Sequence, residues 1–590
     1  MTKRYGMQIL FWLLASMLAM SGAIAQNTSA ALSGRITDAA GNPVAGASVD
    51  IVHVPSNTTR TVTTNADGRF SAQGLRVGGP FAVTVSKPGF EKIEKDDVYL
   101  QLAQETTLNL ALAQAATELK GVQVTANAAS MIFQPDNKGI STNVSSRELK
   151  VIPNPDRSIQ AIAQTDPFII LQNNNAAGGF AEISALGQNN RYNNITVDAV
   201  PTNDSFGLEA NGLPSQNQPL SYDAIEEYNI STANYDVTNK RAVGAAINIV
   251  TKSGTNDFHG SAYYAYTNAN DLTGDGINGN TFTGYSQKWT AGGTLSGPII
   301  KDTLFFFLDY EESKLVAPAP SFGPIGSNAD NIVPVTQDQL NQIISIAKGY
   351  GLQPGGLTAT GNNQDEKRGL VKLDWNINDS HRLSFRYNQT KGAQPRIQGN
   401  FTGSRPSLGL SSYWYTQERN LRQGVLNLYD DWTDNFSSEA SISYAKYHST
   451  PLTLANQPML QVYVNKSDPS TQNASVYLGE DQFRHYNVLN VDTATAFWAG
   501  TWTYGDHSVK AGFDFQRDKF YNLFGRTEFG NYQFNSIAAF QAGQYSFYNL
   551  FYPAPGYTLS DITARWSLEQ YGLFLQDTWQ MTPNFSLQYG

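Results

Sequence analysis

From about Phe258 onward, apolar and polar side chains alternate with a period of two in segments of about ten residues. That is the repeat of a β-strand whose two faces meet different surroundings. Between Lys288 and Gly297, one face carries Trp289, Ala291, Gly293 and Leu295, and the other Lys288, Thr290, Gly292, Thr294 and Ser296. Between Arg368 and Ile377, Gly369, Val371, Leu373, Trp375 and Ile377 oppose Arg368, Lys372, Asp374 and Asn376. Val509, Ala511, Phe513 and Phe515 oppose Lys510, Asp514 and Gln516 in the same way, and the polar, inward face carries both signs, with Lys288, Lys372 and Arg386 beside Asp374 and Asp514. About eleven such strands are predicted, near 258–267, 287–297, 303–312, 368–377, 382–389, 424–432, 438–447, 486–496, 508–517, 565–579 and 585–590. Their connections alternate between short (298–302, 378–381, 433–437, 497–507, 580–584) and long (268–286, 313–367, 390–423, 448–485, 518–564). A soluble sandwich has no reason to sort its loops by parity, whereas a barrel in an outer membrane puts tight turns on the periplasmic side and long loops outside. If the apolar face meets lipid, a one-residue slip turns Lys372 toward hydrocarbon at about 2 to 4 kcal/mol near the midplane, so the register is well specified. Trp375, Trp432 and Trp579 precede three of the tight turns, where an aromatic girdle belongs; packing in a protein core is the alternative role.

The chain before these strands reads differently. Lys3 and Arg4 lead into an apolar stretch from Met7 to Met20, and Ala23-Ile24-Ala25 supplies small residues where a signal peptidase reads, so 1–25 is expected to be a signal peptide. The apolar run is shorter than the about 18 to 20 residues a helical span needs. Residues 31–113 are short β-rich runs divided by turn chemistry at Asp38-Ala39-Ala40-Gly41-Asn42-Pro43, Asn65-Ala66-Asp67-Gly68, Gly78-Gly79-Pro80 and Lys87-Pro88-Gly89, which predicts a sandwich of about seven strands. Asp38 and Asp67 stand where a turn uses an Asx side chain, with calcium binding as the alternative. Residues 118–253 alternate apolar runs with Asn/Gly-rich loops, and Asn154 as N-cap with Pro155 at N1 predicts a short helix burying Ile159, Ile162 and Ala163. In the longest predicted loop, Thr336 and Gln339 form a capping box ahead of Leu340, Ile343, Ile344 and Ala347, predicting a helix that packs over the barrel mouth.

Composition narrows the function classes. The formal net charge is -10, which disfavours a nucleic-acid partner. With Cys 0, disulfide frameworks, thiolate metal sites and cysteine catalysis are excluded together. The sandwich carries one histidine, His53, too few ligands for a metallopeptidase. Asp271-Leu272-Thr273-Gly274-Asp275-Gly276 has calcium-loop spacing, but Phe282 stands at the twelfth position where a bidentate Glu is required, so Gly276 is read as a turn. No nucleophile motif, phosphate loop, carboxylate pair or paired histidines are present; the reading is a non-enzyme with no catalytic, cofactor or metal residues.

Particular stretches carry a family resemblance. Gly34-Arg35-Ile36-Thr37-Asp38, Gly41-Asn42-Pro43-Val44-Ala45-Gly46-Ala47, Asn65-Ala66-Asp67-Gly68-Arg69-Phe70 and Val83-Thr84-Val85-Ser86-Lys87-Pro88-Gly89-Phe90 resemble the carboxypeptidase regulatory-like domain, which implies a folding or docking module. Tyr192-Asn193-Asn194-Ile195-Thr196-Val197-Asp198-Ala199-Val200-Pro201, Asp223-Ala224-Ile225-Glu226-Glu227-Tyr228, Ala233-Asn234-Tyr235 and Gly244-Ala245-Ala246-Ile247-Asn248-Ile249-Val250-Thr251-Lys252-Ser253-Gly254 resemble the plug of TonB-dependent outer-membrane receptors. Ala199 departs from the Gly common in that turn. Gly254-Thr255-Asn256-Asp257-Phe258-His259-Gly260, the stretch Leu295 to Phe307, and Gln576-Asp577-Thr578-Trp579-Gln580-Met581-Thr582-Pro583-Asn584-Phe585 resemble the Oar-like branch of those receptors.

The resemblance implies a mainly β chain: signal peptide, sandwich, α+β plug (118–253) and, over 257–590, the first part of an antiparallel transmembrane barrel, truncated at its C-terminal end. A curled sheet without closure is therefore expected. It also implies a plug-gated importer in the outer membrane of a Gram-negative-type bacterium, with the sandwich periplasmic and no cofactor. Its partners would be the TonB energy-coupling protein, outer-membrane lipid and, in a glycan-importing variant, a surface lipoprotein. Val122, Gln123, Val124, Thr125 and Ala126 are placed like a TonB box, a stretch captured by strand addition; a plain first plug strand is the other reading. A surface adhesion protein that transports nothing is the alternative function.

Overall fold

The computed structural model describes residues 28–102, 104–114, 139–172, 181–239, 243–269, 285–358, 362–454, 456–582 and 585–590. The expected signal peptide, the TonB-box candidate 122–126 and the 271–276 loop lie outside the described residues.

Eleven strands form one antiparallel sheet in strict chain order. They are His259–Asn268, Gln287–Ile300, Leu304–Ala317, Asn362–Asn378, His381–Arg396, Tyr415–Thr433, Phe436–Thr453, Tyr486–Tyr504, His507–Gly525, Ala564–Thr582 and Phe585–Tyr589. Each of the eleven expected strands is present, and the first and last are not paired with each other, so the sheet curls without closing. Most strands run longer than predicted on the side of the long connections: the expected 368–377 is Asn362–Asn378. Near that end both faces are polar, as at Gln364, Asp365 and Glu366, so alternation fades while backbone pairing continues. Among the described residues no helix is long and apolar enough to cross a membrane.

The burial of this wall inverts that of a soluble sheet. Along Asn362–Asn378, Gln364, Glu366, Arg368, Lys372 and Asp374 are buried on one face, while Val371, Trp375 and Ile377 are exposed on the other. Leu573 is 89% exposed and Leu575 62%, whereas Arg386 is 1% exposed and Glu311 0%. Only an apolar solvent on the convex side makes such a surface stable, since a large contiguous apolar face does not persist in water. Trp432 is 55% exposed, and Trp375 lies open at the same tight-turn end, which removes core packing as their role.

Two smaller bodies pack against the concave side and the tight-turn end. The N-terminal sandwich has two four-stranded sheets. Its eight strands become the predicted seven if Glu105–Thr107 and Leu110–Leu112, both parallel to Ala30–Asp38, are taken as one interrupted edge. Asp38 Oδ1 accepts the amides of Ala40 and Asn42, both at 2.9 Å, as an Asx turn requires. In the second turn, Asn65 rather than Asp67 does this, accepting from Asp67 and Arg69. The inner body is a five-stranded sheet in the order Val200–Pro201, Asn194–Val197, Ala246–Thr251, Ile225–Asn234, Gly139–Ser145. Its core, with Ile195, Tyr228, Ile230, Ile247 and Ile249, also takes in Phe307 and Leu370 of the wall. The expected helix begins later than Asn154: it spans Ile159–Ala163 with Ser158 as N-cap. Asn154 instead closes the preceding turn by accepting from the Ser158 amide at 3.0 Å. Pro155 therefore belongs to that turn.

The long connections also build structure that their sequences did not announce. Ser407–Gly409, Ser475–Leu478, Met459–Tyr463, Asn531–Phe534 and Phe547–Asn549 form a second five-stranded sheet. The predicted helix, Gln337–Gly349, has the full Thr336/Gln339 capping box and buries Leu340, Ile343 and Ala347 in that sheet's core, beside Phe534 and Phe540.

The charged seam between inner domain and wall

The concave face of the wall is lined with charge because each strand must turn one face away from the apolar exterior, and the inner domain supplies the partners. Asp198 is the centre of the tight-turn half. It sits in the two-residue turn between Asn194–Val197 and Val200–Pro201, where Asp198 and Ala199 both adopt left-handed φ, of 44° and 69°. A hairpin turn of this type asks for that conformation at both positions, and Asp accepts it more readily than Ala. So the turn expected there forms without glycine. Asp198 accepts from the Thr251 amide at 2.9 Å and hydroxyl at 2.6 Å, and pairs with Arg386 at 2.8 Å. Arg386 also donates to the Val197 carbonyl at 2.9 Å, and Lys372 to the Thr251 carbonyl at 2.8 Å. Further round the wall, Lys510 pairs with Asp236 at 2.8 Å.

Midway, Arg368 is held between the wall carboxylates of Glu311 and Glu366 and donates to the Gln218 carbonyl at 3.1 Å. Arg157, in left-handed conformation at φ 51°, pairs with Asp223 at 2.6 Å and lies 3.7 Å above the Tyr263 ring. Toward the long-loop side, Glu209 pairs with Arg419 and accepts from the Tyr447 hydroxyl at 3.0 Å. There Phe206 lies 6.2 Å from Phe520 and 6.1 Å from Trp566. A buried ion pair is weak evidence for net stability, since desolvation offsets its attraction, but losing one partner of such a pair is costly. The seam therefore sets the position of the inner domain more than it adds to stability.

Sequence reasoning placed Lys288, Lys372, Arg386, Asp374 and Asp514 on the inner face. It did not find the partners of Lys372 and Arg386, which lie across long separations in the chain. Nor did it single out Asp198, Asp236, Glu209 or Glu311; the available signal was an acidic residue within each Asn/Gly-rich loop or inner-facing register.

Burial pushes the Glu227 carboxyl, in the inner domain, up to about 8, with Glu226 and Glu148 adding to the effect against hydrogen bonds from Leu102 and Asn143. In the sandwich, burial drives the His53 imidazole down to about 3, assisted by Arg76 and Arg382. Among the described residues no group of three or more His, Asp or Glu is arranged to hold a metal ion.

Known proteins share this organisation. Residues 31–113 match the carboxypeptidase regulatory-like domain, and residues 250–331 and 324–590 match the outer membrane beta barrel domain. The TonB-dependent transporter Oar of Myxococcus xanthus is 27% identical over 399 residues, covering 64% of this chain and 34% of its own. The chain thus spans about a third of the length of that curated relative. Among solved structures, the outer membrane transporter YddB of Escherichia coli superposes with TM-score 0.53 at 10% identity, covering 74% of this chain and 54% of that one, a likeness of fold. A mutant of the ferric enterobactin receptor PfeA of Pseudomonas aeruginosa gives TM-score 0.47 at 14% identity, covering 76% and 56%. With an exposed apolar belt outside, a charged seam inside and a family match over more than half its residues, the chain belongs to the outer membrane beta barrel domain family, and it is similar to the TonB-dependent transporter Oar.

Proposed function

We propose that this chain acts in active import: the inner domain is a plug, a ligand binds above it, and force from the inner-membrane TonB complex moves the plug against the wall. The observation that carries this reading is the seam. Asp198, Asp236, Glu209 and Gln218 tie the inner domain to Arg386, Lys510, Arg419 and Arg368 of the wall through hydrogen bonds and ion pairs, with apolar contact divided among separate patches such as that at Phe307 and Leu370. Such contacts can be exchanged for water one at a time, so the domain can shift without exposing a large apolar surface. The segment captured by the energy coupler is Val122–Ala126, bound by strand addition.

The test is comparative growth of a strain lacking the gene on defined nutrients, each supplied at limiting concentration. The expected result is a defect on at least one nutrient that is reproduced by loss of the energy coupler and by Val124→Pro, with the protein still assembled in the outer membrane. Normal growth of the Val124→Pro strain on that nutrient would remove the TonB-box assignment. A second reading, a surface protein that binds without transport, draws on the folded outer sheet and its core around Gln337–Gly349. It predicts partner binding that is unchanged in cells lacking the coupler and no nutrient defect.

A further inference from the structure

The sandwich touches both the frame and the movable part of the molecule. On the frame side, three of its arginines each meet an aspartate near the end of a different wall hairpin. Arg60 pairs with Asp431 at 3.2 Å, Arg69 with Asp506 at 3.0 Å, and Arg76 lies 3.8 Å from Asp374. These aspartates stand near or within the tight turns 434–435, 505–506 and 379–380, so the three pairs are spread around the tight-turn mouth of the wall. Further hydrogen bonds follow the same rim: Arg382 donates to the Gly74 carbonyl at 3.0 Å, Asn376 to the Thr58 hydroxyl at 3.1 Å, and Arg76 to the Asn376 side-chain Oδ1 at 3.0 Å. Thr28 with Tyr429 adds a contact to the strand that carries Asp431, and Ser29 with Glu439 extends the attachment to one further wall strand, Phe436–Thr453.

On the movable side the contact is of another kind. Val250 of the inner-domain strand Ala246–Thr251 is part of the sandwich's own apolar core. The Leu102 amide donates to Oε1 of the Glu227 carboxyl at 2.8 Å, and the Asn143 side-chain amide bridges Glu227 and the Leu102 carbonyl at 2.9 and 3.2 Å. The inner domain therefore cannot leave its place without drawing Val250 out of an apolar core and breaking a buried hydrogen-bond network. The attachment of sandwich to frame is, by contrast, polar: Arg76–Asp374 and Arg60–Asp431 are enclosed, at 6% and 2% and at 11% and 16% side-chain exposure, and Arg69–Asp506 is open to water at 22% and 42%. Contacts of that sort are screened by salt and resemble transient domain interfaces.

We propose that the sandwich is a detachable stop on the periplasmic mouth, latched to the wall by the three Arg–Asp pairs and gripping the inner domain through Val250 and Glu227. While latched it holds the inner domain at rest; unlatching frees sandwich and inner domain to move together. This depends on the outer-membrane placement of the wall and not on import, so it survives if the chain proves to be an adhesion protein.

The absence of cysteine makes the test direct, because introduced thiols are the only ones present. In isolated outer membranes carrying the full chain, Arg69→Cys with Asp506→Cys is treated with a short bis-maleimide, leaving the other two pairs intact. Efficient cross-linking is expected, falling at least threefold when Arg60→Asp and Arg76→Ala are added and recovering in part with Asp431→Arg. Hydrogen exchange at Ala246–Thr251 is followed in parallel in Arg60→Asp/Arg76→Ala without the cysteines, and faster exchange than in the unaltered chain is expected. No cross-link in the parent pair, or a yield indifferent to the added substitutions, would overturn the latch. Loss of cross-linking with unchanged exchange would overturn the grip on the inner domain.

Discussion

The sandwich and the wall are both antiparallel sheets written with the same period-two alternation, yet they bury opposite faces. In Gly78–Ser86 the buried residues are Phe81, Val83 and Val85, and the intervening polar positions are partly open to solvent. In Asn362–Asn378 the buried residues include Glu366, Arg368, Lys372 and Asp374, while Val371 and Trp375 face outward. Period alone therefore specifies register but not which side is inside. What decides is the nature of each body's neighbours: the sandwich has a second apolar sheet to close on, and the wall has a polar inner domain on one side and lipid on the other. Three experiments should break this comparison if it is wrong.

The largest effect is expected from Arg386→Ala, which strips Asp198 of its closest charged partner inside the wall. Removing one member of a buried pair costs about 3 to 5 kcal/mol, and the Thr251 bonds and Lys372 at 4.0 Å place this case toward the lower end. Denaturant titration of the membrane-assembled protein, read by protease release of the inner domain, measures it. The double change Asp198→Asn with Arg386→Met should recover most of the loss, because no uncompensated charge then remains. A loss below about 0.5 kcal/mol for the single change, within the range of an ordinary surface substitution, would mean that the seam does not hold the inner domain.

Next comes Val371→Arg on the outward face. Near the bilayer midplane an arginine on the lipid side costs about 2 to 4 kcal/mol, so the yield of assembled barrel in lipid bilayers should fall sharply. The matching change in the sandwich, Asp96→Arg at an exposed strand position, should stay within about 0.5 kcal/mol. Equal tolerance at the two positions would put water, not hydrocarbon, against the wall.

How much of this could be read from residues alone follows from the range of each interaction. The eleven wall strands are announced by alternation within each segment, and the Thr336/Gln339 helix and the Asx turn at Asp38 rest on contacts within a few residues, so all three features were legible. The start of the Ile159–Ala163 helix was misplaced because Asn154 and Ser158 are both good caps, and the amide–side-chain bond between them assigns the cap to Ser158. The outer sheet escaped notice because Met459–Tyr463 and Ser475–Leu478, which pair with each other, are short, and the sheet is completed only by strands from other connections, Met459–Tyr463 lying parallel to Asn531–Phe534 and Ser475–Leu478 parallel to Ser407–Gly409. The seam was half legible. The inner-facing positions of Lys372 and Arg386 followed from alternation, but the Lys510–Asp236 contact joins residues 274 apart, which no local pattern encodes.

The smallest effect distinguishes the two bodies by pH. His53 is buried in the sandwich, its ring tilted against that of Phe81 with centroids 4.9 Å apart and hydrogen-bonded through Nδ1 to Ser56 at 2.7 Å, with the Arg76 and Arg382 guanidinium groups nearby. Its folded pKa of about 3 lies below the ordinary 6.5, so the neutral ring is the one the fold accepts. Protonation then favours the unfolded chain: the stability linked to His53 is complete above pH 6.5 and is lost as pH falls toward 3. At about 1.4 kcal/mol per pH unit, lowering pH from 7 to 5 should remove about 2 kcal/mol from the sandwich. Melting of the full chain in detergent, followed by hydrogen exchange in Ser48–His53, should show that loss, and His53→Gln should flatten it while the wall strands keep their exchange rates in both proteins. Arg76 joins the His53 environment to the rim at Asp374, so the same acidification should also loosen the sandwich from the wall. A pH response of equal size in His53→Gln would assign the acid sensitivity to the carboxylates of the rim instead.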